Sequence, residues 1–165
     1  MIKTDKFLIA IVAGVVLLVI AVFAIALLRP NQPAYQPDDT PEGVAHNYLL
    51  ALQLDEHERA FGYLSPTLPG YPGDAEQFTR DVDNDRWSFG DYDGDVSLAI
   101  EAVNVTGDRA KIVVRETVFH QGGLFDSGQY STTFDMTLHR EDGAWKITAS
   151  DRYFHGCWAS SNNCK

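Results

Sequence analysis

From Phe7 to Leu28 the chain carries no charged and no polar side chain, and its one glycine there is Gly14. A helix rising about 1.5 Å per residue over that stretch spans roughly 33 Å, against a hydrocarbon core of about 30 Å. The run therefore predicts a transmembrane helix over 7–28, seated in a lipid bilayer and closed by Arg29-Pro30. The rival reading is a cleaved secretory signal, with Lys3 and Lys6 as its basic start and Ala24-Ile25-Ala26 as the cleavage site. A signal's apolar region usually runs only about 7–15 residues, and here Leu27 and Leu28 continue the pattern, so an uncleaved anchor is expected. No Cys follows the run to carry a lipid. Lys3 and Lys6 precede it and Arg29 is the only base close after it, which favours a cytoplasmic N-terminus over 1–6. Everything from Arg29 onward is then extracytoplasmic, as in a bacterial envelope protein.

Cys157 and Cys164 are the only cysteines. In an oxidising compartment such a pair reads as a disulfide, closing the tail over 156–165. So short a loop contributes on the order of 2–3 kcal/mol in the loop-closure picture. From Arg29 onward, 11 basic residues face 22 acidic ones, a net of about −11. That charge argues against nucleic acid and anionic lipid headgroups as partners, and leaves cationic partners or divalent ions open. Pro30, Pro33 and Pro37 punctuate residues 29–39. An extended polyproline-like stalk is expected there, holding the domain up to about 30 Å from the bilayer.

The remainder, 40–155, suits one domain. Thr40 caps and Pro41 starts a helix whose stripe is Val44, Ala45, Tyr48, Leu49 and Leu52. Asp55 with Glu58, and Asp74 with Gln77, resemble capping boxes before two further helices, Glu56 to Leu64 and the one carrying Phe78 and Val82. Then the period changes to two. Val96, Leu98, Ile100 and Ala102 share one parity, as do Ala110, Ile112, Val114 and Val118. Tyr130, Phe134, Met136 and Leu138 form a third row, and Trp145, Ile147, Ala149 and Tyr153 a fourth. Gly107-Asp108 and Glu141-Asp142-Gly143 supply turns. Helices followed by alternating strands predict α+β, with an antiparallel sheet buried on one face.

Two or three helices, then Gly107-Asp108-Arg109-Ala110-Lys111-Ile112-Val113-Val114, then Phe134-x-Met136-x-Leu138-x-Arg140-Glu141-Asp142-Gly143-Ala144-Trp145-Lys146-Ile147 resemble the NTF2-like superfamily, in particular its small exported or membrane-anchored members. The resemblance covers Thr40 to Phe154. It implies three helices packed on a strongly curved antiparallel sheet, a cone with an internal pocket, and homodimerisation through the sheet in many relatives. Isomerases, dehydratases, transport factors and assembly domains share the fold, so it leaves function open.

Within that cone, Glu116 shares parity with Ile112, Val114 and Val118, and Asp151 with Trp145, Ile147 and Tyr153. Both carboxylates are expected to point inward, with His120 and Tyr153 a step further along. A desolvated carboxylate there has the raised pKa of a general acid or base, and a neighbouring Tyr or His suits an enolate-like charge. The bland alternative is that twist or a bulge turns these acids outward, or that Arg115 or Arg152 neutralises them. A second constellation is Asp81, Asp83, Asp85, Asp91, Asp93 and Asp95, hard oxygen donors of the kind calcium takes. EF-hand spacing fails, because Arg86 or Val96 falls where Gly is needed and Tyr92 where Glu is needed; a solvated acidic connection is expected. His46, His57, His120, His139 and His155 lack zinc spacing. Asn104-Val105-Thr106 is a glycosylation sequon. No P-loop, Gly-x-Ser-x-Gly or Rossmann signature occurs, so no cofactor is expected. The reading is a tethered, non-enzymatic domain binding a small apolar ligand or an envelope protein. Its rivals are an isomerase or lyase using a pocket carboxylate and a calcium-responsive envelope protein.

Overall fold

The computed structural model describes residues 6–28, 34–90, 95–121 and 127–160. The chain divides into two compact units, Met1–Ala34 and Tyr35–Lys165. The first holds helix α1, Lys6–Leu28, of 23 residues. Its side chains are described over 11–24, a length of about 20 Å in a helix. Among the described residues no helix is long and apolar enough to cross a membrane.

The second unit opens with helix α2, Pro41–Gln53, where Thr40 accepts a hydrogen bond from the Gly43 amide at 3.0 Å. Its stripe of Val44, Ala45, Tyr48 and Leu49 is buried, as the periodicity predicts. Helix α3, His57–Gly62, starts differently from expectation: Glu56 is its N-cap and makes no side-chain capping bond. The reason lies at the end of α2. Asp55 takes a left-handed backbone, φ 56°, its amide bonds to the Leu52 carbonyl, and the Glu56 amide reaches back to that of Ala51 at 2.8 Å. That is a Schellman ending, and a residue consumed as its left-handed stop cannot also sit extended as the next helix's cap. The second capping device does form. Asp74 accepts from the Gln77 amide at 2.7 Å, and the Gln77 side chain accepts from that of Gly73 at 3.0 Å, opening helix α4, Ala75–Asn84. A 3-10 turn, Arg86–Phe89, then ends at left-handed Gly90.

Strands β1 (Asp95–Thr106), β2 (Arg109–Gln121), β3 (Ser127–Glu141) and β4 (Ala144–Ser150) form one curved antiparallel meander in that order. The inward rows of β2 and β3, including Ile112, Val114, Phe134, Met136 and Leu138, are buried against the helices. Two bulges break the simple alternation. Glu101 is the extra residue in β1, so Ala102 leaves the inner row and Val103 moves opposite Ile112. Thr148 is the extra residue in β4, so Ala149, expected in the core with Trp145 and Ile147, is exposed. One unpaired residue reverses every later side chain.

The free edge of β4 is covered. The Ile147 amide donates to the Tyr63 carbonyl and its carbonyl accepts from the Ser65 amide, both at 2.9 Å. Helix α5, Gly156–Ala159, buries Trp158 completely, and the Trp158 carbonyl accepts from the Gly70 amide at 3.2 Å. Its ring stacks on Phe78 at 4.9 Å and its indole N–H bonds Asp81 at 2.8 Å. The end of the expected stalk also belongs to this unit. Buried Asn47 accepts from the Gln36 amide and donates to the Gln36 carbonyl, each at 2.7 Å, and Arg59 lies 3.2 Å over the Tyr35 ring.

Candidate functional site

Glu116 sits mid-way along β2 on the inner row, opposite Leu98 of β1 and Thr132 of β3, with no exposed surface. Its Oε1 accepts a hydrogen bond from the Tyr153 hydroxyl at 2.6 Å. Its Oε2 lies 3.0 Å from Nη1 of Arg152, an ion pair without the alignment of a hydrogen bond. The guanidinium side chain keeps 27% of its surface exposed. Two adjacent residues thus converge on one carboxylate. A regular strand sends neighbouring side chains to opposite faces, and this convergence is possible because β4 has already ended at Ser150.

The backbone holds that irregularity in place. Tyr153 has φ 56°, an unusual conformation for a bulky residue. Its amide donates to the Ser88 carbonyl at 2.8 Å and its carbonyl accepts from the buried Tyr48 hydroxyl at 2.5 Å. Phe134 lies 5.5 Å from its ring. Burial first, and then the hydrogen bond and charge of Glu116, push the Tyr153 hydroxyl well above the ordinary tyrosine range. Burial alone does the same to Tyr48. The phenol thus satisfies one carboxylate oxygen by a hydrogen bond, and the guanidinium offsets the charge on the other without hydrogen-bonding it. A buried ion pair of this kind is stable only while every partner is present.

The remaining candidates are not brought together with Glu116. His120 is exposed at the far end of β2, stacked on Tyr130 at 5.5 Å. Asp151 is exposed too: past the Thr148 bulge it accepts from the Asp135 amide at 3.2 Å and faces away from the core. Of the acidic series, Asp81 is engaged by Trp158, Asp83 lies 3.9 Å from Arg86, Asp85 ends α4 and Asp95 starts β1. Asp91 and Asp93 lie outside the described residues, and among the described residues no cluster gathers donors for a metal ion. Cys157 is not a free thiol, while Cys164 lies outside the described residues. Parity found Glu116; Tyr153 reaches it because β4 ends at Ser150 and its own backbone is left-handed, not because it continues the row of Trp145 and Ile147. Arg152 entered only as a neutraliser of these acids, and Tyr48 and Gly90 carry no motif.

No family model matches the chain, and no curated protein matches it. Solved structures do. A SEC-C motif containing protein from Rhodopseudomonas palustris is 12% identical, covering 72% of this chain and 83% of its own, with a TM-score of 0.49. An NTF2-like protein with a cystatin-like fold from Novosphingobium aromaticivorans is 14% identical, covering 66% and 75%, with a TM-score of 0.44. The chain is similar in fold to NTF2-like proteins. At these identities the likeness concerns architecture alone, and what the domain does follows from its own side chains.

Proposed function

We propose that this chain is a single-pass, membrane-tethered protein whose NTF2-like domain, held outside the cytoplasm, binds a partner without catalysing a reaction on it. The observation that carries the reading is the state of Glu116. A general base needs a face open to substrate, whereas both oxygens of this carboxylate meet the domain's own Tyr153 and Arg152. Neither of the two clefts on the helical side is lined by any of these three residues. The isomerase or lyase reading loses its base on that account. A partner protein suits the filled core better than an apolar ligand inside the cone.

The tether is argued from α1. Ile11, Leu17, Leu18, Ile20 and Phe23 all stand exposed on it, an apolar surface of the kind that marks a membrane or protein contact. Oxidation of Cys157 with Cys164 belongs to the same reading, because a disulfide persists outside the cytoplasm. The test is fractionation of cells expressing the full chain. The reading expects it in membranes after an alkaline carbonate wash, and released by Leu17→Lys with Leu18→Lys. Recovery of a soluble product beginning after Ala26 would instead establish the cleaved signal.

A further inference from the structure

An edge strand offers unpaired N–H and C=O groups to any second strand, and folds ordinarily blunt it with cover, charge or a bulge. The β4 edge has its cover in Tyr63 and Ser65. At the other edge, the first half of β1 is met by α2, whose Gln53 side chain donates to the Val96 carbonyl at 3.4 Å, and it ends at the Glu101 bulge. Beyond the bulge, residues 102–106 have no such protection. All are exposed and uncharged, and among the described residues no group from outside the sheet bonds to them. The nearest charge before them on the strand, that of Glu101, is neutralised by Arg115 of β2.

The turn decides which groups point outward. Thr106 and Arg109 flank the two-residue loop Gly107-Asp108 and pair in the ladder, so they exchange both hydrogen bonds with each other. Alternation then turns the N–H and C=O of Val103 and Val105 away from β2, to the free edge. These valines stand opposite Ile112 and Ala110, on the inner face, and remain 38% and 51% exposed. The segment is self-complementary. With a second copy laid antiparallel about Asn104, Val103 of each copy faces Val105 of the other, outward backbone against outward backbone. The valines close over one another on the inner face. On the outer face the Asn104 amides meet, each with donors and acceptors for the other. Ala102 falls opposite Thr106, so the register sets no charge against its like, which a strongly acidic domain requires of a contact with itself.

We propose that residues 102–106 are the edge through which two copies of this chain join their sheets into one. The contact is isologous, as a two-fold pair requires, and it leaves the outer sheet face free. One short strand pair is small against the roughly 1,200 Å² of a stable interface. The pairing therefore rests on the proposed tether, which confines the copies to one bilayer at an effective concentration on the order of millimolar.

The test is oxidative cross-linking of the full chain carrying Asn104→Cys, purified at about 1 mM in detergent micelles to match that concentration. In this register position 104 meets itself as a non-hydrogen-bonded pair with Cα atoms about 4.5 Å apart, within the span of a disulfide. Asn104→Cys should give covalent dimer at least about tenfold above the unsubstituted chain, in which Cys157 and Cys164 set the background. Adding Val105→Lys, at a position half exposed in the single copy, should cut the yield at least about fivefold without lowering the melting temperature. Thr133→Cys, exposed on the outer face, should stay at background. Dimer absent from Asn104→Cys, undiminished by Val105→Lys, or formed instead through Thr133→Cys overturns the proposal. So does capture of only a different protein when Asn104→Cys is oxidised in whole cells. Because the concentration in micelles is imposed, such a failure leaves the membrane tether to its own fractionation test.

Discussion

Tyr153 combines a left-handed backbone with a ring that is 2% exposed and a hydroxyl locked on a buried carboxylate. Tyr153→Phe keeps the ring and removes the bond, so it should cost about 1.5–3 kcal/mol in urea unfolding, the range for a hydrogen bond to a charged group. The same residue sets a pH dependence. Its folded pKa is raised above the unfolded value of 10.0, so its contribution is complete below about pH 10 and is lost as pH climbs further. Tyr48 acts in the same direction. Stability should therefore fall above pH 10 in the wild type and fall less steeply in Tyr153→Phe. At this scale the sequence was only half legible. Parity picks out Glu116, because β2 is regular from Arg109 to Gln121. It misplaces Asp151, because nothing in Ile147-Thr148-Ala149 marks Thr148 as the bulge.

Among the elements, the turn at Gly90 matters most to the site. Its φ is 82°, and a Cβ there would lie 2.5 Å from the Tyr153 hydroxyl oxygen. Gly90→Ala combines backbone strain with overpacking and should cost about 2–4 kcal/mol. Gly62→Ala is the control. Gly62 ends α3 with nothing within 4 Å of the added methyl, so thermal melting should find it neutral or up to about 1 kcal/mol more stable. Asn47 ties Gln36 and Asp38 onto α2 through bonds of 2.5–2.7 Å. Asn47→Ala should speed amide exchange at Gln36 by about tenfold or more while leaving the sheet amides unchanged, since it frees that segment and not the core. The helices and strands themselves were readable, from Thr40 and Asp74 as caps and from rows such as Phe134, Met136 and Leu138. The Schellman stop at Asp55 was not. An Asp three residues before Glu is equally a cap in sequence, and only the preceding helix decides between the two.

Across the whole molecule, the proposed tether rests on the apolar run of α1, and the proposed binding role rests on the internal engagement of Glu116. Catalytic carboxylates tend to be held at a cost to stability, so their removal commonly stabilises the protein. A carboxylate that anchors the core behaves in the opposite way. Removing it leaves Arg152 without its buried partner and the Tyr153 hydroxyl without an acceptor. The decisive measurement is the unfolding free energy of Glu116→Ala against the wild type in urea at neutral pH. The account predicts a loss of about 3–5 kcal/mol, largely shared with Tyr153→Phe in a double-mutant cycle. A Glu116→Ala protein as stable as the wild type, or more so, would contradict it and return the carboxylate to the role of a poised catalytic base.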